Sequence, residues 1–428
     1  MSQQNRLSTG GRVDRSRKVR FTFEGKSYEG FAGDTLASAL LANNVHLVGR
    51  SFKYHRPRGV LTAGSEEPNA IVQLGTGART EPNTRAPMIE LYDGLNANPQ
   101  NCWPSVNSDI GEINNKLSRF FPAGFYYKTF MWPKSMWMKY EEVIRHSAGM
   151  GVAPTEEDPD SYATKHVHCD VLVAGGGPAG LAAALAAGRS GARVIIADEH
   201  GEFGGSLLGD ADATIDGKPA MEWVASAVEE LKAMEEVTVL PRTTVTAYYD
   251  HNFLTALERV TDHLGPQDNT DIPRQRFWPI RAKEVVIAQG SVERPMLFGD
   301  NDRPGVMLAS AVRTYINRFG VLPGREVVVF TNNDSAYRTA IDAVAAGATV
   351  HVVDTRKGPK GALVEKARSL GVDVHDNCGV IGTCGKKKVT GVDVMDLNEA
   401  GDRVVGSSFH RSADIVAMSS GWTPMVSL

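Results

Sequence analysis

The sequence predicts an α/β protein: two Rossmann-like dinucleotide-binding units preceded by a small β-grasp module of ferredoxin-like fold that carries no cysteine. Three observations predict it. A series of strand, glycine turn, helix, strand and acid fills residues 168–205. The same series recurs from Gly324 onward without its glycines. A strand hairpin followed by a short apolar helix occupies residues 18–42.

Residues 1–17 are polar and basic and read as a flexible tail. They hold no apolar stretch of the secretory kind, so no signal peptide is expected. The β-grasp module is placed at 18–95. Residues 19–23 alternate as a strand, Glu24-Gly25-Lys26 turn the chain, and 27–31 return. Asp34 reads as the N-cap of a helix through Ala42. In plant-type ferredoxins a C-x4-C-x2-C loop binds the cluster after this helix. Here residues 51–68 contain no cysteine, so a [2Fe–2S] centre is not expected. The basic run at 53–58 offers phosphate contacts, or more plainly a solvated or subunit-facing loop. Residues 96–165 form a connector. Nine aromatics crowd its stretch from Phe120 to Tyr140: Phe120, Phe121, Phe125, Tyr126, Tyr127, Phe130, Trp132, Trp137 and Tyr140. At that density they suit packing against another subunit or across domains.

The first dinucleotide unit is placed at 166–320. Gly175 allows the tight turn off its first strand. Gly177 lacks a Cβ, so a pyrophosphate can approach the backbone, and Gly180 lets the helix pack closely on the sheet. The helix opening at Pro178-Ala179 presents free N–H groups and a positive dipole end to phosphate. Asp198 stands 18 residues past Gly180, where its carboxylate is expected to accept the ribose hydroxyls and to repel the 2′-phosphate of NADP. Residues 243–247 read as a strand edge, and 284–291 as a strand ending in a turn at Gly290.

The second unit is placed at 321–428. Residues 326–330 form its strand, 340–347 its helix, and 349–353 the second strand, ending in Asp354. Residues 331–336 stand where the glycine turn belongs. Asn332 and Asn333 can still turn, but side chains fill the phosphate approach, so the unit reads as a scaffold that has lost its ligand. Residues 413–424 give a further strand and glycine turn, four residues before Leu428. The first unit is not expected to be revisited, and the chain reads as the N-terminal portion of a longer polypeptide.

Charge is nearly balanced, with 46 Lys+Arg against 50 Asp+Glu. That gives no electrostatic case for nucleic acid or an acidic membrane. The apolar stretch 171–188 is broken by a glycine-proline turn and does not read as a membrane span. Cys102, Cys169, Cys378 and Cys384 form no C-x-x-C and no metal-ligand spacing. They read as reduced thiols of a cytoplasmic protein. No catalytic constellation and no metal site emerge. His166 and His168 lack zinc spacing with any acid, G-x-S-x-G and H-E-x-x-H are missing, and Asp198 and Glu199 are adjacent and point apart.

The order of a cysteine-free β-grasp module, an intact Rossmann unit and a degenerate one joins two specific strings. These are Gly49-Arg50-Ser51-Phe52-Lys53-Tyr54-His55-Arg56-Pro57-Arg58-Gly59 and Gly421-Trp422-Thr423-Pro424. Together they resemble the α subunits of heterotetrameric sarcosine oxidase, over nearly the whole chain. The resemblance implies a two-dinucleotide flavoprotein-like architecture in which this part of α carries NAD rather than FAD. It implies an assembly with β, γ and δ subunits that demethylates sarcosine with O2 and tetrahydrofolate, giving glycine, 5,10-methylenetetrahydrofolate and H2O2. FAD and amine oxidation are implied on β, FMN at the α–β interface, and the folate site in the C-terminal half of α. The NAD contacts it implies fall on Ala179, Asp198, Glu199, His200, Ser206 after Gly204-Gly205, and Val245. The family often has Arg at the His200 position and Thr at the Ser206 position, so backbone contact is what carries over there.

Three alternatives stand beside this. The first is a flavoprotein dehydrogenase with FAD at 175–180 and substrate near Gly290. The second is the α subunit of a related FAD-dependent amine, proline or opine dehydrogenase. The third is an interaction scaffold. The degenerate second unit speaks against a nicotinamide reductase, because hydride transfer needs a donor and an acceptor. Iron–sulfur cysteines, frequent in the dehydrogenase relatives, are missing, and a scaffold has no use for the three glycines and Asp198.

Overall fold

The computed structural model describes residues 3–120, 124, 132–147, 149, 151–267 and 271–428. The chain divides into two compact units. One combines Pro159–Arg294 with Trp422–Leu428; the other combines Met1–Asp158 with Pro295–Gly421. No helix among the described residues is long and apolar enough to cross a membrane.

The first of these units is built on a seven-stranded sheet. Val237–Leu240, Val194–Ala197, Val167–Ala174 and Gln275–Ile287 run parallel in that order. Phe253–Arg259 and Thr243–Tyr249 continue the sheet as an antiparallel meander. All four residues of Val194–Ala197 are buried because both faces of the sheet are covered. Val194 and Ile196 pack with Leu181, Ala184 and Leu185 of the helix Pro178–Arg189 and with Val224, Ala227 and Leu231 of Ala220–Ala233. Ile195 and Ala197 pack on the other face with Leu254, Trp278 and Ile280. The period of two along the strand thus divides one apolar run between two cores.

This unit ends at Arg294 rather than near residue 320. Val306–Leu308 pairs in parallel with Ile415–Ser419, and the buried residues from Val306 to Leu322 belong to the core that also holds 327–353. The chain also returns to the first unit. Trp422–Pro424 pairs antiparallel with Ser291–Glu293, and Leu428 packs against the cluster around Leu172.

The other unit carries a five-stranded parallel sheet in the order Val306–Leu308, Ile415–Ser419, Glu326–Thr331, Thr349–Asp354, Asp373–Asp376. Cys378–Gly385, Val389–Leu397 and Val404–Ser412 form an antiparallel sheet beside it. One core unites this half with the β-grasp module. That module has five strands, in the order Lys26–Ala32, Asp14–Phe23, Leu95–Pro99, Ile71–Leu74, Glu81–Arg85. Leu95–Pro99 lies between two other strands, so the module extends into the segment read as connector. Of the connector aromatics, Phe121, Phe125, Tyr126, Tyr127 and Phe130 lie outside the described residues. Phe120 and Trp132 are 77% and 82% exposed.

Two N-terminal expectations are corrected. The helix Leu36–Ala42, buried at every residue, is capped by Thr35, whose side chain accepts from the Ser38 N–H. Asp34 is instead a buried anion. It accepts from the Phe31 N–H, the Ser38 hydroxyl and two nitrogens of Arg6. The leading segment is therefore no loose tail. Asn5 donates its N–H to the Ala42 carbonyl, and Leu7 to that of Gly320. Arg6 lies 5% exposed against Asp34, which is fully buried. The basic run is likewise engaged. Arg56 pairs with Asp300 and Asp302, and Arg58 with Asp302. Burial would raise the Asp302 carboxyl, but the Arg56 hydrogen bonds and the Arg58 charge hold it down to about 2.

Candidate functional site

The strand Val167–Ala174 runs straight into Gly175, whose φ of +111° only glycine adopts readily. A Cβ there would overlap the Ala288 carbonyl, at the end of the neighbouring strand. Gly180 permits the second close approach: its Cβ would overlap the Gly175 carbonyl oxygen. Both glycines thus serve backbone packing. Gly177 differs. A Cβ there would meet only the Gly205 Cα, at 3.9 Å, so the space above it is open. Gly205, with φ +54°, returns the relationship: its own Cβ would lie 2.9 Å from the Gly177 Cα. Two bare backbones face each other, one at the N-cap of the helix Pro178–Arg189 and one at the start of the turn Gly205–Gly209.

That helix has no side-chain cap. Its opening N–H groups, those of exposed Ala179 and of Gly180 after Pro178, lie beside the bare-backbone cradle with a positive dipole end. A pyrophosphate fits this arrangement. Ser206 follows Gly205 and is exposed. Gly204 ties the two sides together by donating its N–H to the Gly176 carbonyl at 2.9 Å.

Asp198 stands at the end of Val194–Ala197, as expected, but faces inward. It is only 8% exposed. Its Oδ2 accepts from the Gly176 N–H at 2.7 Å and its Oδ1 from the His200 N–H at 2.8 Å. The His200 Nδ1 lies 3.2 Å from the same Oδ1. Burial pushes this carboxyl up, yet the His200 imidazole and the two backbone donors more than offset it, leaving it below the usual aspartate value. Its first task is therefore to brace the glycine turn. Glu199, next in sequence, is only partly buried, and its carbonyl accepts from Arg259.

The crossover into Thr243–Tyr249 runs alongside. Arg242 donates its N–H to the His200 carbonyl at 2.9 Å, and Thr243 to that of Asp198 at 2.7 Å. Val245, two residues on, pairs with Ala256 and packs on the meander-side core. The structure thus brings Gly175, Gly177, Gly180, Asp198, Glu199, His200, Gly205 and Val245 to one end of the parallel strands. Gly290, φ +71° and exposed, lies two residues beyond Ala288 and accepts from the Met425 N–H at 3.0 Å.

Sequence reasoning missed three contributors. Phe203 covers Gly176, where a Cβ would strike its ring. Ala288 packs its carbonyl on Gly175. Gln289, between Ala288 and Gly290, has a buried side-chain oxygen without a hydrogen-bond partner among the described residues. An orphaned buried amide costs about 1–3 kcal/mol, which a ligand hydroxyl or amide would offset. Only the strand-end position of Gln289 hinted at this.

The corresponding place in the other unit is closed by its own side chains. Asp354 is fully buried and accepts from the Tyr337 hydroxyl and from Arg356. Asn333 donates across the turn to the Ser419 carbonyl and hydroxyl. Asp334 holds the far side of Arg356 at 2.7 Å.

Residues 170–264 match the family model for an FAD dependent oxidoreductase, and 16–102 that for a 2Fe-2S iron-sulfur cluster binding domain. The second span contains Cys102 as its single cysteine, so its residues do not fit a cluster that takes four. Sarcosine oxidase subunit alpha of Rhizobium meliloti (strain 1021) is 50% identical over 427 residues, which is 99% of this chain and 42% of that protein. The subunit of the same name from Corynebacterium sp. (strain P-1) is 40% identical, over 98% of this chain and 39% of that protein. The chain thus spans about two fifths of the length of these relatives. The solved L-proline dehydrogenase from P. horikoshii shares the fold, at TM-score 0.58 and 21% identity, over 98% of this chain and 62% of that one. The chain is homologous to sarcosine oxidase α subunits along nearly its whole length, and joins a ferredoxin-like module without cluster ligands to an oxidoreductase domain of the flavoprotein kind.

Proposed function

We propose that this chain is the NAD-holding part of the α subunit of a heterotetrameric sarcosine oxidase, working in the cytoplasm with β, γ and δ subunits. The assembly demethylates sarcosine with O2 and tetrahydrofolate to glycine, 5,10-methylenetetrahydrofolate and H2O2. Amine oxidation belongs to FAD on the β subunit, and FMN to the α–β interface. The contrast between the two dinucleotide units carries the reading for this chain. One presents an open cradle between Gly177 and Gly205, while the other fills the same place with Asn333 and locks its acid to Arg356. A single dinucleotide with no second one to exchange hydride with fits a holding role rather than a reductase. The relatives' name, subunit alpha, supports an assembly of more than one kind of subunit, and the exposed Phe120 and Trp132 offer surface to a partner.

In the cradle, the helix opening around Pro178, Ala179 and Gly180 and the Gly205-Ser206 backbone would hold the pyrophosphate. Glu199 would face the ribose, with Asp198 bracing the turn beneath it. NAD, when bound, would supply the adenosine and pyrophosphate that these groups recognise; FAD shares that half, so the geometry accepts either. Acid release of cofactors from the purified complex decides between them. One NAD per α chain is expected. FAD in its place would turn the reading to the α subunit of a related amine, proline or opine dehydrogenase.

A further inference from the structure

The three-stranded sheet Cys378–Gly385, Val389–Leu397, Val404–Ser412 gathers a thiol, a carboxylate and an imidazole at one point. Cys384 pairs with Gly391, and two residues on, Asp393 pairs with His410. Side chains two apart on a strand share a face, so Cys384, Asp393 and His410 emerge together. Gly391 creates the room, since a Cβ there would strike the His410 ring. The Cys384 Sγ lies 3.6 Å from Asp393 Oδ2 and 3.8 Å from His410 Nδ1; that Nδ1 lies 3.2 Å from Asp393 Oδ1.

The thiol and imidazole contacts fall on the two different oxygens of one carboxylate, and a small turn of that carboxylate would bring a single oxygen to both at lengths near the edges of a coordination tetrahedron. Zinc bonds of about 2.3 Å to sulfur and about 2.0–2.1 Å to nitrogen and oxygen give S···N and S···O edges of about 3.5–3.6 Å and an N···O edge of about 3.3 Å. The arrangement does not suit a nucleophile relay. In such a relay the imidazole takes the thiol on one nitrogen and the acid on the other. Here both converge on Nδ1. We propose that Cys384, Asp393 and His410 bind one zinc ion, with its fourth position open to solvent. The thiolate and imidazole donors favour zinc over magnesium or calcium. Binding forms the Zn–S bond and releases the thiol proton to water.

A second cluster, His351, Asp373 and His375, is less suited. The Arg411 guanidinium lies 3.1 Å from the His375 Nε2, where it would repel a cation.

The test uses the full 428-residue chain, stripped with a chelator and titrated with Zn2+ by calorimetry and with Co2+ by absorption. One equivalent is expected to bind, with a thiolate-to-cobalt charge-transfer band. Cys384→Ser is expected to abolish the band, and His410→Ala to weaken affinity at least tenfold. Cys378→Ser is expected to keep both. Zinc should also slow alkylation of Cys384 in the unaltered chain, a reading that needs no variant to fold. A stripped chain that shows no charge-transfer band overturns the proposal. So does a band that survives Cys384→Ser, or unchanged Cys384 alkylation with zinc present.

Discussion

Asp198 Oδ2 accepts the Gly176 N–H at 2.7 Å, so the acid at the end of the second strand fastens the glycine turn at the end of the first. With Oδ1 held by the His200 N–H, Asp198→Asn must turn an NH2 toward one of two backbone donors. The buried donor left unpaired costs about 1–3 kcal/mol. Asp198→Asn should therefore lower the unfolding midpoint and the bound dinucleotide together. Glu199→Gln should lower dinucleotide affinity alone. Thermal unfolding with and without NAD separates the two, and an Asp198→Asn chain of unchanged stability would remove the bracing role.

Asp198 also sets a pH dependence, because the His200 imidazole and N–H, with the Gly176 N–H, outweigh the effect of its burial. The Asp198 carboxyl is held below its ordinary 3.8 in the folded chain. Its contribution to stability is thus fully present above that value and is lost as the pH falls through the lowered folded one. The acid limb of an unfolding-versus-pH curve should be shallower for Asp198→Asn than for the unaltered chain.

Three glycines around the cradle, two from the turn and one from the facing segment, should behave differently. Gly177→Ala has room for its Cβ and an ordinary backbone conformation, so stability should shift by less than about 1 kcal/mol while dinucleotide affinity falls tenfold or more. Gly180→Ala drives a Cβ into the Gly175 carbonyl and should destabilise the unit by about 3 kcal/mol or more. Gly205→Ala combines a left-handed φ with a contact on Gly177 and should lose both. Urea unfolding paired with NAD calorimetry ranks them. Equal stability losses at Gly177 and Gly180 would contradict an open cradle.

Arg6→Ala tests the leading segment. It leaves Asp34 fully buried without its cation, a change that costs about 3–5 kcal/mol. A flexible tail would give no change. Differential scanning calorimetry reads the difference directly.

What could be read in the sequence follows from how local each signal is. The run 168–198 announced itself because turn, helix dipole and strand alternation are all short-range. Tertiary partners were hidden. Nothing in residues 1–15 shows that Arg6 would meet Asp34, and Asp34 looked like a cap because Thr35 beside it has the same chemistry. Val306–Leu308 went to the wrong unit because a parallel strand finds its neighbour across a long crossover, here Ile415–Ser419. The inward turn of Asp198 was missed for a similar reason, since its donors Gly176 and His200 are set by the approach of two strands. The donors Cys384, Asp393 and His410 come from three strands, so they carry none of the close spacing by which metal ligands are recognised in a sequence.

The closed state of the other dinucleotide unit leads to the remaining prediction. Arg356 is the cation for buried Asp354, with Tyr337 as the second partner. Arg356 is itself one third exposed, so solvent recovers part of what Arg356→Ala removes, and a loss of about 2–3 kcal/mol is expected. No second dinucleotide should bind, because the Asn333 side chain still spans the turn to Ser419. Adding Asn333→Gly removes that span but supplies no counterpart to the facing Gly177 and Gly205 backbones. The NAD stoichiometry of both variants should stay at one. A rise to two, read by acid release and calorimetry, would mean that the unit is a dinucleotide site closed only by its own side chains.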